Sequence, residues 1–331
     1  MKQFVLLFGL CVVLTVAASA QVFFQNTMYP YTRFMYNPAA AGMTNPGMEA
    51  GANFTMMGRQ QWLGVPGAPR TPVFAFNAPL PNDIGGIGAT VGSDILGPVT
   101  STWLDVAYAY HLDLGGTFQL NIGASGGFRN FNIDASGWKY DQSSGIDPIV
   151  PTVSRSVLVP TINAGIYLST VGENGRDGNF FVGLSGQNLL EPSIEDVLDV
   201  IGIGPTSRIP RTFSLMGGYR FDLDDRMSIQ PIVNFQTDGV NTPQTSISVY
   251  WNYKPVSVGA NFRAGDTESL GAILGFNVSD QMFFGYSYDY PLTSLNGVGD
   301  LHTHEIILSY TLRGAQGNGG KKVNILKEGD L

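Results

Sequence analysis

Between Gly51 and Arg313 the chain alternates, position by position, between apolar residues and small or polar ones. In the segment 282–290, Met282, Phe284, Tyr286, Tyr288 and Tyr290 fall on one side of an extended chain, with Phe283, Gly285, Ser287 and Asp289 on the other. Successive side chains of a strand point to opposite faces, so such a segment separates two different surroundings. Ile229, Pro231, Val233 and Phe235 likewise oppose Ser228, Gln230 and Asn234, and Val256, Val258, Ala260 and Phe262 oppose Ser257, Gly259, Asn261 and Arg263. Ile306, Leu308, Tyr310 and Leu312 oppose Glu305, Ser309, Thr311 and Arg313. Read by this period, strands are predicted at 51–58, 71–80, 86–95, 101–112, 117–132, 157–170 and 179–188. They continue at 211–223, 227–237, 244–253, 256–264, 269–278, 282–291 and 304–313. That is about fourteen strands, and single-chain bacterial membrane barrels have an even number.

The apolar faces point to lipid. In hydrocarbon every backbone N–H and C=O must be satisfied within the protein, so a spanning sheet has to close on itself. After residue 20 no apolar run reaches the roughly 20 residues of a spanning helix. The connections give a second test, because such barrels have short periplasmic turns and longer outer loops. The segments 81–85, 113–116, 224–226, 254–255 and 279–281 are short and fall on one side, whereas 58–70, 133–156, 189–210 and 292–303 are long and fall on the other. Three connections fit less well: 171–178 is a longer inner turn, and 97–100 and 239–243 are short outer ones. The fold expected is an all-β transmembrane outer-membrane barrel of antiparallel strands with periplasmic N- and C-termini. Tyr108 with Tyr110, Trp251 with Tyr253, and Tyr286 to Tyr290 cluster at strand ends, where amphipathic rings sit at headgroup level. A soluble β-sandwich holding these rings in its core is the competing reading; it would need polar outer faces that these strands lack.

Composition agrees and narrows the location. The 331 residues include 42 glycines and are 11% aromatic but only 13% charged, against about 25% in typical soluble domains. Glycine within strands suits a lumen or tight barrel corners. Residues 1–20 carry a lysine, an apolar run and a final Ala-Ser-Ala, the pattern of a secretory signal peptide that leaves Gln21 as the first mature residue. The single cysteine, Cys11, lies inside that run, so the mature chain is expected to carry neither a disulfide nor a lipidated cysteine. A net charge of -8 provides no basic surface for nucleic acid. The organisation expected is a signal peptide at 1–20, a periplasmic or plug segment at 21–49, a barrel at 50–313 and a periplasmic tail at 314–331.

The motifs lie between the strands. Asn37-Pro38-Ala39-Ala40-Ala41-Gly42 precedes the first strand, and Gln61-Trp62-Leu63-Gly64-Val65-Pro66-Gly67-Ala68-Pro69-Arg70-Thr71 follows it. Ala78-Pro79-Leu80, then Gly86-Ile87-Gly88 with Asp94 and Gly97-Pro98, and finally 285–290 with His304-Glu305-Ile306 complete the series. In order and spacing these segments resemble the PorP/SprF family of type IX secretion system outer-membrane proteins over most of the mature chain. The tail at 314–331 departs from the pattern, since the last strand of a barrel usually ends the protein. The resemblance implies a component that helps secretion or surface anchoring of sorting-domain cargo or gliding adhesins. The partners it implies are type IX secretion ring lipoproteins and sorting-domain cargo, with outer-membrane lipid around the barrel and no nucleic acid. A passive solute porin is the alternative, and a soluble surface-binding β-protein a third.

Candidate sites are few. Asn37, Pro38 and Gly42 mark the N-terminal motif. Arg59, Gln61, Trp62, Pro69 and Arg70 form a candidate partner-binding tip, with a rigid structural cap as the equal alternative. Arg129, Arg220, Arg263, Asp289 and Glu305 face the expected lumen, where they either pair and close it or line an open passage. His302 and His304 share a face beside Glu305, but no third ligand is placed by spacing, and His111 reads as a lumen residue. The acidic turn with Asp222, Asp224 and Asp225 lacks the regular ligands of a calcium loop. No Gly-x-Ser-x-Gly elbow with ordered partners and no phosphate loop occurs, so neither a catalytic residue, a cofactor nor a metal is expected and the chain is read as a non-enzyme.

Overall fold

The computed structural model describes residues 25–48, 50–81, 84–115, 117–134, 154–171, 177–194, 208–265, 268–292 and 301–313. The signal peptide expected at 1–20, the tail expected at 314–331 and most of the connections 133–156, 189–210 and 292–303 lie outside the described residues.

All fourteen predicted strands form. In chain order they are β1 (Gly51–Gln60), β2 (Arg70–Pro79), β3 (Gly85–Leu96), β4 (Val99–Asp113), β5 (Phe118–Ile133), β6 (Arg155–Val171) and β7 (Asp177–Gln187). There follow β8 (Thr212–Tyr219, resumed at Phe221–Asp222), β9 (Met227–Thr237), β10 (Gln244–Tyr253), β11 (Val256–Ala264), β12 (Ser269–Ser279), β13 (Met282–Pro291) and β14 (Thr303–Arg313). Both pieces of β8 pair with β9, with Arg220 between them, so they act as one strand. Each strand is antiparallel to its neighbours in sequence, and β1 pairs with β14 from Gly51↔Arg313 to Gln60↔His304. The sheet is therefore closed, a 14-strand barrel without a free edge.

Burial follows the predicted alternation. Val233, Ile247, Val249, Val258, Leu270, Leu274, Ile306 and Leu312 are exposed on the outer surface, whereas Asn234, Ser246, Ser248, Asn261, Arg263, Ser287, Glu305 and Ser309 are buried inside. The outward residues form the lipid face; one shift of register would exchange the two sets.

The interior departs from a purely polar lumen. Met57, Val73, Ile232, Tyr250, Ile273, Phe283 and Ile307 also point inward, and they are buried against Met28, Tyr29, Tyr31, Phe34 and Tyr36. Residues 25–48 thus lie inside the barrel, folded as three short turns at Tyr29–Tyr31, Arg33–Tyr36 and Pro38–Ala40. At one end Gln25 donates to Gln244, the first residue of β10. At the other, Gly42 donates to Asn77, and Asn45 to Asn53 near the start of β1. The segment therefore runs the length of the lumen, from the mouth with the long connections to the mouth with the short turns. Arg313, the last described residue, is at the short-turn mouth, and Gln25, the first, at the opposite one.

Side-chain placement on the wall generates a stability prediction. Val249→Arg, midway along β10, is expected to destabilise the barrel by about 2–4 kcal/mol, and Tyr253→Arg at the end of the same strand by about 0–1 kcal/mol. Reversible unfolding in lipid vesicles measures both.

Candidate functional site: the filled lumen and its rim

The N-terminal motif is the contact between the inner segment and the wall. Asn37 accepts from the Ala39 N–H through Oδ1 at 3.0 Å, starting the turn at Pro38. Its amide nitrogen donates to the Ile166 carbonyl at 2.9 Å and the Leu184 carbonyl at 3.2 Å. It reaches them because Gly165 and Gly183 face it: a Cβ at Gly165 would collide with the Asn37 oxygen. Gly123 lies under Ala39 in the same way, and Gly86 under Gly42, whose φ of 84° favours glycine. His111 Nε2 lies 2.9 Å from the Ala41 carbonyl, so it is a lumen residue as expected. The Ser185 hydroxyl donates to the Tyr36 carbonyl at 2.6 Å.

A charged cluster holds the other end of the segment. Arg59, at the upper end of β1, is 4% exposed and donates to Asp289 Oδ2 at 2.9 Å and Glu305 Oε2 at 3.1 Å. Arg263 approaches Asp289 Oδ2 at 3.4 Å. At the centre is Thr27, whose hydroxyl donates to Asp289 at 2.7 Å and accepts from Arg59 at 3.2 Å and Arg263 at 3.1 Å. Glu305 also accepts the backbone N–H groups of Thr27 at 3.0 Å and Met28 at 2.9 Å. Two arginines and two carboxylates are thus desolvated together and closed around the inner segment, with Arg59↔Glu305 a register pair across the β1–β14 seam. Below the cluster, Tyr31 stacks on Phe283 with ring centroids 4.2 Å apart.

The other expected lumen charges lie elsewhere. The Arg129 guanidinium is 5.6 Å from the Trp103 ring centre, on the opposite wall. Arg220 bonds to Asp222 at 2.9 Å and to Asn179 at 2.8 Å. It lines a cavity of about 710 Å³ at the short-turn mouth, with Arg33, Arg226 and Lys254. Arg263, Asp289 and Glu305 come together as a unit, while Arg129 and Arg220 do not join them. The missing member is Arg59, which sequence reasoning assigns to the loop tip. Its place at an inward position of β1, opposite Glu305, is the signal that identifies it.

The tip itself is half built in. Gln61 and Pro69 are buried, with the Gln61 N–H donating to the Pro69 carbonyl at 2.9 Å, whereas Trp62 is half-buried and Arg70 exposed. The Leu63 N–H donates to the His302 carbonyl at 2.9 Å, and the Gly97 N–H to the Gly67 carbonyl at 2.9 Å. The connection is therefore fastened on both sides, with Leu63 56% exposed at its crest. His302 and His304 face outward with Tyr286 and Tyr288: the Tyr286 hydroxyl is 2.7 Å from His304 Nδ1, and that of Tyr288 is 2.5 Å from His302 Nδ1. Among the described residues no three His, Cys, Asp or Glu side chains are grouped to hold a metal ion.

A closed antiparallel barrel with an apolar outer belt defines the chain as an outer-membrane β-barrel protein. Its sequence matches the model of the type IX secretion system membrane protein PorP/SprF over residues 18–310, nearly the whole chain. The protein belongs to that family, and so to the outer-membrane components of type IX secretion. No curated protein matches it. Solved structures with a similar architecture include the Acinetobacter baumannii outer membrane protein Omp33, with a TM-score of 0.45 and 9% identity, covering 80% of this chain and 100% of that one. The Ralstonia pickettii toluene transporter TbuX has a TM-score of 0.47 and 10% identity, covering 86% and 94%. A Pseudomonas aeruginosa FadL homologue has a TM-score of 0.40 and 13% identity, covering 86% and 95%. Likenesses this distant say nothing about a substrate.

Removing one member of a buried, hydrogen-bonded ion cluster leaves an uncompensated charge, at a cost of about 3–5 kcal/mol. Arg59→Ala is therefore expected to loosen residues 25–48 and open the backbone at Arg33, which is buried in the wild type, to trypsin. Mass spectrometry of digests of the folded protein checks this, with the Arg220→Ala variant, outside the cluster, expected to stay resistant.

Proposed function

We propose that this protein serves type IX secretion as a filled, rigid anchoring barrel, holding sorting-domain cargo or a gliding adhesin by protein–protein binding rather than passing solutes. The observation that carries this reading is residues 25–48 packed inside the barrel and tied to Arg59, Asp289, Arg263 and Glu305. A porin keeps a water-filled interior, and here that space is taken by a hydrophobic and ion-paired core. The fastened β1–β2 connection offers a pre-ordered contact surface in which Trp62, Leu63, Pro66 and Arg70 are accessible and Arg59 acts from beneath. Ordered loops of this kind bind with little loss of conformational freedom. The ring lipoproteins of the secretion machine are the partners proposed for the short-turn side, and the tail at 314–331 is proposed to lie on that side. The reading assigns the barrel no catalytic step.

A photo-cross-linking residue placed at Leu63 in the otherwise full-length protein, expressed in cells that secrete through the type IX system, tests the contact. Adducts containing a sorting-domain protein or a known secretion component are expected. They should fall at least tenfold in number when Trp62 is also changed to Ala. Adducts with neither class of protein would overturn the anchoring role.

A further inference from the structure

The outer wall over the closing seam carries a site separate from the lumen, which meets the loop tip only at Arg70, the first residue of β2. Three rows of side chains cross it on the lipid side. In the middle row Ile306 pairs with Gly58 and Gly58 with Pro72. One pleat toward the short-turn mouth, Leu308 pairs with Met56 and Met56 with Phe74. These residues line a groove of about 630 Å³. Its depth comes from sequence: a Cβ at Gly58 would meet nothing within 4 Å, so the outer surface is hollow where neighbouring strands carry long apolar side chains. Pro72 adds little bulk and carries no N–H for the sheet.

The third row, one pleat toward the long connections, is of another character. There Tyr288 pairs with His304, His304 with Gln60, and Gln60 with Arg70. Arg70 is exposed and faces outward with the groove, since it lies two positions from Pro72 on the same face. Tyr286, Tyr288 and Tyr290, clustered with His302 and His304, mark the level at which apolar surface gives way to headgroups. An apolar trough thus runs up to a cationic, hydrogen-bonding row at headgroup depth, in the geometry of one amphiphile with its chain down and its anionic head up.

We propose that this groove binds a single phosphate-bearing lipid of the leaflet on the long-connection side. One acyl chain lies over Gly58 between Met56, Phe74, Ile306 and Leu308, and the phosphate is held by Arg70 with His304, across Gln60, whose amide nitrogen donates to the Gln61 and Pro69 carbonyls. Guanidinium suits phosphate because its planar donors meet two oxygens at once. The charge of the row selects the head, and the missing side chain at position 58 selects the chain. Because β1, β2 and β14 all contribute, the bound lipid would bridge the outside of the seam that Arg59 and Glu305 join from within.

The test is native mass spectrometry of the full-length protein in detergent, titrated with bisphosphorylated hexa-acyl lipid A and with the same lipid stripped of phosphate. One tightly held phosphorylated lipid is expected, with binding reduced at least tenfold by Arg70→Glu, by Gly58→Leu and by removal of the phosphates. Gly126→Leu, which alters a distant outward glycine, should leave it unchanged. Heat-modified gel mobility confirms that each variant is folded. Should a groove variant fail to fold, a diazirine on the acyl chain of lipid A bound to the wild type must label the peptide containing Met56 or Phe74. Equal binding by wild type and folded variants, equal binding of the dephosphorylated lipid, or labelling spread around the barrel would each overturn the proposal.

Discussion

A sheet in hydrocarbon has no water to satisfy an open edge, and the pairing of β1 with β14 is what removes that edge here. Everything else in the protein leans on that seam. Its inner side carries the Arg59↔Glu305 pair, and the carboxylate of that pair also accepts the backbone N–H groups of Thr27 and Met28 in the inner segment. Closing the barrel and filling it are therefore one structural event: the residues that join first strand to last also fasten residues 27 and 28. Isolated charges could not be buried so completely, but two arginines, two carboxylates and a central hydroxyl pair with one another, leaving only the Arg59 and Arg263 Nε–H groups of the two guanidiniums without a partner. Specificity of position, rather than net stabilisation, is what such a cluster supplies.

The inner segment and wall are complementary in volume as well as charge. Inward glycines at 86, 123, 165 and 183 give way to Gly42, Ala39 and Asn37, while inward Phe283, Tyr250 and Ile273 meet the large residues Tyr29 and Tyr31. Inward glycines make room both where the chain turns close to the wall and for the large side chains Phe34, over Gly88, and Met28, over Gly285. That fit turns a lumen into a core and leaves the rim and the outer wall as the accessible surfaces.

The wall was legible in the sequence because lipid imposes a strict two-residue period, as in 282–290, where every assignment of face agrees with the structure. The path of residues 25–48 was harder to read. Asn37-Pro38-Ala39 signals a turn, but what it touches depends on Gly165 and Gly183, far along the chain, and no local pattern announces such a match. Inward Phe283 and Ile307, sitting where a wet lumen wants polar groups, were the sequence's sign that something apolar lies opposite them. Arg59 was misplaced for a related reason: it adjoins the loop motif, and only its strand register shows that it points inward. Arg220 reads as inward by period, yet the break in β8 leaves it to pair with Asp222 at the mouth.

Ion flow reports directly on whether residues 25–48 fill the barrel. In planar bilayers the full-length protein is expected to show almost no conductance, while a variant lacking residues 25–48 shows steady open-channel currents. Equal conductance of the two, whether both high or both low, would contradict the account.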